Sequence, residues 1–162
     1  MKVALISRSS LYSVPGGDTT QVKATARYLK KLGIDAEIKL SHQKINYKDY
    51  TLLHFFNVIR PADILKHIDK SELPYVVSTI YVDYRGYEIT ARGNIGRLNG
   101  LLGANNVEYL KTIARTLKAS LQLPCFEYLR SGQKNSITKV INNAACILPN
   151  SESEHRLSLI HI

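Results

Sequence analysis

Apolar and polar positions alternate along this chain with two different periods, and the switches between them mark out its elements. Lys2 to Ser7 is a short apolar run that reads as a buried strand, followed by a loop that carries Pro15-Gly16-Gly17. A helix comes next, with Asp18 at its N-cap and Gln21 three residues on in the manner of a capping box. Val22, Ala26, Leu29 and Leu32, with Thr25 between them, place an apolar stripe on one face before Gly33 ends the helix. Ala36 to Leu40 alternates apolar with charged residues, as a strand near a sheet edge does. Leu52 to Ile59 is apolar almost throughout and reads as a central strand covered on both faces. Pro61 suits the first turn of a helix that runs through Lys70 with Ile64, Leu65 and Ile68 inward, and Tyr75 to Val82 makes another buried strand.

Strand, helix, strand, strand, helix, strand is the order of an α/β domain: a Rossmann-like, doubly wound parallel sheet with helices on both faces, since parallel strands need crossover connections. From Asp83 to Asn105 the periodicity breaks. Five of the nine glycines (Gly86, Gly93, Gly96, Gly100, Gly103) fall there with Arg85, Arg92 and Arg97, which predicts a long Gly/Arg-rich insertion or surface loop. Asn106 to Leu121 returns to a helical pattern, apolar at Val107, Leu110, Ile113, Ala114, Leu117 and Leu121, with Lys111, Arg115 and Lys118 largely opposite. Ser136 to Ala144 predicts a further helix, and Cys146 to Leu148 a short strand that feeds Pro149-Asn150-Ser151. Ser151 with Glu154 forms a second capping box and announces a helix near the end of the chain. The last stretch, Leu157 to Ile162, is apolar with one histidine; it is an atypical tail, expected to expose hydrophobic surface unless something covers it.

At 162 residues the chain has room for one domain. Its 22 Lys and Arg against 13 Asp and Glu leave a formal charge of +9, which favours an anionic partner: nucleic acid, a phosphorylated ligand or an acidic membrane surface. Cys125 and Cys146 are too few for a disulfide framework and lack the spacing of a zinc site, so a reducing compartment, two half-buried thiols and no metal are expected. No apolar run approaches the roughly 18 residues of a transmembrane helix, and Val3 to Ile6 is no signal-peptide core. The expected location is the cytoplasm, with contact at the inner membrane face the one departure from it.

The densest chemistry lies in the loop from Ser13 to Thr20. Two adjacent glycines let a backbone approach a ligand closely, and the helix that opens at Asp18 or Thr19 offers unpaired N–H groups and a positive dipole end to a phosphate. A tight turn before a capped helix explains the same residues, and neither GxGxxG nor GxxxxGK[ST] is present. His54, inside an apolar strand, reads as a hydrogen-bonded core histidine before a catalytic one, whereas Asn57 is better placed for a ligand at the strand's carboxyl end. Asp83 and Tyr84 follow the fourth strand; a carboxylate there either orients a hydroxyl and accepts its proton or caps the next turn. Gly93-Asn94-Ile95-Gly96 spells the GxxG of a nucleic-acid-binding KH loop, but the surrounding element order is wrong for that fold.

The glycine loop, Leu53-His54-Phe55-Phe56-Asn57, Ser78-Thr79-Ile80-Tyr81-Val82-Asp83 and Leu148-Pro149-Asn150-Ser151-Glu152-Ser153-Glu154, taken in order, resemble the N-terminal domain of GT-B glycosyltransferases, closest to family 4, to about Arg156. The resemblance implies an acceptor-side lobe (residues 1–156) of a retaining, metal-independent enzyme that moves a sugar from a nucleotide-sugar to a glycan or lipid-linked acceptor. The nucleotide-sugar is a co-substrate, and no cofactor is implied. By that resemblance Gly16 and Gly17 lie against the donor's phosphates, Asp18 and Thr19 open the helix behind them, Asn57 and Asp83 line the acceptor side of the cleft beside Tyr84, and Ser151 with Glu152 faces the crevice between lobes. The donor-binding domain and its paired glutamates are absent from these residues, so the expectation is a fragment, inactive by itself. The alternative expectation is a non-catalytic basic α/β module that binds a phosphorylated ligand or RNA through the glycine loop and the Arg-rich insertion.

Overall fold

The computed structural model describes residues 1–80, 106, 109–110, 112–114 and 125–160, the last four of these without their side chains. Five parallel strands form one sheet: β1 (Lys2–Ser7), β2 (Asp35–Leu40), β3 (Leu52–Phe56), β4 (Tyr75–Ser78) and β5 (Cys146–Leu148). Their order across the sheet is β2-β1-β3-β4-β5. The register is continuous: Leu5 lies between Ile38 and His54, Phe55 beside Val77, and Val77 beside Ile147.

Helices cover both faces, because successive strand residues point to opposite sides. Val3 and Leu5 of β1, with Leu11, Ala36 and Phe56, pack under Val22 and Ala26 of α1 (Gly17–Lys31). Ala4 and Ile6 face the other side, where Leu53, Phe55 and Val77 meet Ile64 and Leu65 of α2 (Pro61–Ile68) and Tyr128, Ile137, Val140 and Ile141 of α3 (Phe126–Asn142). The fold is therefore the Rossmann-like doubly wound α/β sheet that the periodicity predicts. A short helix, α4 (Glu152–Ile160), follows β5.

Several boundaries differ from the sequence expectation for identifiable reasons. β3 stops at Phe56 rather than Ile59 because Asn57 takes a left-handed φ of 71° and turns the chain. α2 ends at Ile68, two residues before Lys70. α1 begins at Gly17 with Gly16 as its N-cap, so the expected box of Asp18 and Gln21 does not form; the Thr19 hydroxyl accepts the Gly16 N–H at 3.0 Å instead. Leu32, expected in the inward stripe, stands at the C-cap and is 75% exposed. Cys125 is half-buried as expected, but Cys146, on the edge strand, is exposed.

The helix expected from Ser136 starts earlier, at Phe126, and is broken at Gly132, whose φ of 70° with ψ of −179° interrupts the helical path. Periodicity from Phe126 to Ser131 is too short to declare itself. At the end of the chain, Ser151 Oγ accepts the Glu154 N–H at 3.2 Å, but the Glu154 carboxylate accepts from the Asn150 N–H at 2.8 Å and from the buried Thr79 hydroxyl rather than from Ser151. Residues 106, 109, 110 and 112–114 are helical, in keeping with the pattern there. The far end of the fourth expected strand (Tyr81, Val82), the Gly/Arg-rich stretch 83–105 with its GxxG, and the remainder of the 106–121 pattern lie outside the described residues.

Among the described residues, Gly132 is the one glycine inside a helix that adopts a conformation other residues rarely take. Gly132→Ala is expected to cost about 1–3 kcal/mol in urea unfolding through backbone strain alone, since nothing stands within 4 Å of the added carbon.

Candidate functional site

Parallel pairing delivers the carboxyl ends of all five strands to one edge of the sheet. The order β2-β1-β3 means that the chain leaves β1 toward one face and β3 toward the other, so a crevice opens between those two strand ends. A cleft is found there, lined by Ser7 and Arg8 from the end of β1, Ser41 after β2, Phe56 of β3, and Arg60 and Asp63 at the start of α2. Its enclosed part is about 10 Å³, room for about one water, and the rest is open to solvent.

The wall of this cleft is built by Arg8. Its guanidinium pairs with the Asp18 carboxylate (Nη2 to Oδ1 2.9 Å, with Nε on the second oxygen) and also donates to Ser10 Oγ at 2.8 Å and to the carbonyls of Ser10 and Val14 at 3.0 and 2.7 Å. Both side chains are about nine-tenths buried, at 10% and 11% exposure. One cation thus ties the end of β1, the whole following loop and the first turn of α1 together. The Arg8 hydrogen bond, its charge and the nearby Arg60 hold the Asp18 carboxyl below the usual carboxylate range, against the opposing effect of burial.

Within that frame the two glycines differ. A Cβ on Gly16 would stand 3.2 Å from Asp18 Oδ1 and 3.8 Å from Arg8 Nη2, so the ion pair itself requires a glycine or a small shift there. A Cβ on Gly17 would meet nothing within 4 Å. Gly17 is exposed at the start of α1, where the Thr19 N–H is already donated to the Gly16 carbonyl at 3.0 Å and to Asp18 Oδ1 at 2.8 Å, and the N–H groups of Gly17 and Asp18 precede the first helical bonds. Thr19 is buried and accounted for: its hydroxyl donates to the Leu11 carbonyl at 3.1 Å while accepting from Gly16.

Asn57 sits at the carboxyl end of β3, at the same edge. Its amide oxygen is buried and has no hydrogen-bond partner among the described residues, and its backbone is left-handed, so two local costs fall on one residue. Ser151 and Glu152 are exposed beyond β5. Glu152 pairs with Arg156 at 3.3 Å, and the neighbouring Asn150 accepts from Gln21 of α1 at 2.7 Å, which links the last turn to the glycine-loop helix. The described residues thus bring Gly16 to Thr19 and Asn57 to one edge, with Ser151 and Glu152 on the same edge farther along the sheet. Asp83 and Tyr84 lie outside the described residues.

The sequence reading missed Arg8, Arg60, Ser41 and Asp63. Arg8 looks like any charge after a strand; what reveals it is the ten-residue return to Asp18, which no local period encodes. Ser41 donates to Asp63 at 3.1 Å, and its carbonyl accepts from His67 Nε2 at 3.0 Å. Because that partner is a carbonyl, His67 carries its proton on Nε2, and Nδ1 accepts from the Tyr47 hydroxyl at 2.9 Å. His54 is the core histidine anticipated, bonded to Ser78 Oγ at 2.9 Å. Burial pushes both imidazoles down to about 4.

Among the described residues no group of three or more His, Cys, Asp or Glu side chains is arranged to hold a metal ion, and no helix is long and apolar enough to cross a membrane. Comparison of the chain with protein-family models, with curated proteins and with solved structures finds no match.

Two stages of acid destabilisation follow. His54 and His67, with folded values depressed to about 4, bind protons more readily when unfolded, so stability falls as the pH drops from about 6.5 to 4. Asp18, and Glu37 held at about 2 by Tyr50 and Lys39, stabilise fully above the ordinary carboxylate range; that contribution is lost as the pH falls below about 4. Urea unfolding against pH should show both stages. Asp18→Asn should lower stability near neutrality and shrink only the lower stage, leaving the histidine stage as it is.

Proposed function

We propose that this chain is the acceptor-side lobe of a retaining, metal-independent GT-B glycosyltransferase, similar to family 4, that transfers a hexose from a nucleotide-sugar to a glycan or lipid-linked acceptor. In this reading the donor's nucleotide is held by a second lobe beyond the sheet described here, and the enzyme works in the cytoplasm. The reading is supported by the order of the four sequence segments and by where two of them fall, at the crevice of a doubly wound sheet. The single observation that carries it is Gly17. A glycine that no neighbour within the chain requires, exposed at a helix start on the ligand-binding edge, is suited to backbone contact with phosphate oxygens.

The chemistry assigned to the lobe is positioning and charge stabilisation. The N–H groups at the start of α1 and its positive dipole end offset the negative charge that develops on a departing diphosphate. Arg8 and Asp18 keep that loop in place without touching the reacting atoms. Asn57, with its unpaired amide oxygen, accepts from a hydroxyl of the acceptor, and Asp83 beside Tyr84 is the proposed group that orients the attacking hydroxyl. Ser151 and Glu152 complete the rim on the side of the second lobe.

Gly17→Ala separates ligand contact from folding. Calorimetric titration of the 162-residue chain with uridine diphosphate and guanosine diphosphate should give weak binding of one of them, weakened at least tenfold by Gly17→Ala. Urea unfolding of that variant should be unchanged or more stable by up to about 0.5 kcal/mol, because alanine is the better helix former. Equal nucleotide binding by both forms would contradict the assignment. Salt-sensitive binding of RNA with no nucleotide binding would favour the non-catalytic basic module instead.

A further inference from the structure

Two histidines lie inside the molecule, and the fold gives them different ways out to water. His54, in the middle of β3, has β1 on one side and β4 on the other, stacks on Phe56 at 4.3 Å between ring centres and bonds to Ser78. A charge there reaches water only when the sheet comes apart. His67, near the end of α2, is 3% exposed, but one of its covers is the connection between β2 and β3, residues 41–51. Its Nε2–H donates to the Ser41 carbonyl, and its Nδ1 accepts from the Tyr47 hydroxyl, whose ring meets the imidazole edge-on at 6.2 Å. Ser41 Oγ in turn donates to Asp63, one turn earlier on α2, and both of these residues line the cleft.

No sheet ladder runs through this connection. At one end the Ser41 N–H donates to the Ser7 carbonyl at 2.7 Å; at the other the Thr51 N–H donates to the Lys2 carbonyl at 2.9 Å and the Tyr50 hydroxyl to Glu37. Between these anchors the backbone bonds are local, from the Gln43 N–H to the Leu40 carbonyl and from the Asp49 N–H to that of Asn46, and of residues 42–49 Ile45 alone is buried. A segment with so little buried apolar contact opens before the core does.

A second proton on His67 works against the contacts that hold this connection. The ring then carries two donors, so Nδ1 no longer accepts from Tyr47 and the hydroxyl must turn round. Burial is the main reason the imidazole stays neutral, and Lys66 and Lys70 of its own helix add to it; the Ser41 carbonyl alone favours the charged form. Asp63, the nearby carboxylate of α2, is already engaged by Ser41, with Arg60 and Lys66 each 3.9 Å away. Among the described residues β3 presents the Phe55 ring and the connection the Tyr47 hydroxyl, and neither β3 nor α3 brings a charge to the imidazole.

We infer that His67, Ser41 and Tyr47 form an acid-released latch: when the imidazole takes a second proton, the connection from Ser41 to Asp49 lifts from α2 while the sheet stays paired, and the cleft loses the wall that Ser41 and Asp63 make. In the open form His67 binds its proton at the ordinary value of 6.5, in the closed form only at about 4, so between these limits opening becomes easier by about tenfold for each pH unit of acidification. The inference does not depend on sugar transfer.

Amide hydrogen exchange of the isotope-labelled chain across that pH range, corrected for the intrinsic exchange rate, tests this. Protection of the Ser41, Gln43 and Asp49 amides should fall about tenfold per pH unit of acidification, while Leu5 in β1 and Phe55 in β3 keep higher protection throughout. His67→Gln keeps a side-chain N–H for the Ser41 carbonyl but does not titrate, so the three amides should lose their pH dependence, and Leu5 and Phe55 should keep the part that His54 gives them. Tyr47→Phe should lower the protection of the three amides severalfold at every pH and leave the tenfold slope in place. Circular dichroism checks that each variant is folded. The inference is overturned if the three amides share the protection and pH dependence of Leu5 and Phe55, so that no separate opening exists, or if their slope survives His67→Gln. The first comparison uses the wild-type chain alone and decides even if His67→Gln does not fold.

Discussion

Parallel pairing is the constraint on which the rest of this structure depends. A parallel neighbour can be reached only by crossing back over the sheet, so each connection adds a helix or a long loop, and every strand's carboxyl end arrives at the same edge. The chain first extends the sheet from β1 to β2 and then returns to the other side of β1 with β3. That reversal leaves the ends of β1 and β3 without a crossing connection between them, and the cleft is the result. The core follows from the same constraint, because β1 and β3 are covered on both faces and must be apolar on both.

The polar groups that remain near the edge are organised by a small number of buried charges. Arg8 and Asp18 satisfy one another, and their spare hydrogen bonds fix the β1–α1 loop, so a segment with two adjacent glycines keeps one shape. Glu154 does similar work at the far end, accepting from Thr79 after β4 and from Asn150 after β5. Among the described residues two buried polar atoms have no hydrogen-bond partner, Asn57 Oδ1 at this edge and Ser136 Oγ in α3. The Arg8–Asp18 ion pair thus preorganises the β1–α1 loop at this edge.

Most of the fold was legible because strand cores and helix faces are written in local periods. The run Lys2 to Ser7 gave β1 with its bounds, Leu52 to Ile59 gave β3 three residues too long, and of the stripe Val22, Ala26, Leu29 and Leu32 all but the last face inward. What the sequence hid was set by contacts between distant residues. Asp18 has the chemistry of an N-cap, and only the arrival of Arg8 explains why the cap moved to Gly16. Asn57 looks like one more strand residue until its left-handed φ is known. Gly132 breaks a helix whose first half is too short for any period to show. Of the site, the glycine loop and Asn57 were visible as residue types in the right places, whereas Arg60, Ser41 and Asp63 enter the cleft only through the packing of α2 against the end of β2.

The proposed function puts ligand contact at the edge formed by the carboxyl ends of β1 and β3. Mapping amide chemical shifts of the isotope-labelled chain during titration with uridine diphosphate and guanosine diphosphate tests it most directly. The amides of Gly16, Gly17, Thr19 and Asn57 should move together along one saturating curve. Shifts confined to the outer face of α1 or to the far edge of the sheet, with those four amides unmoved, would contradict it.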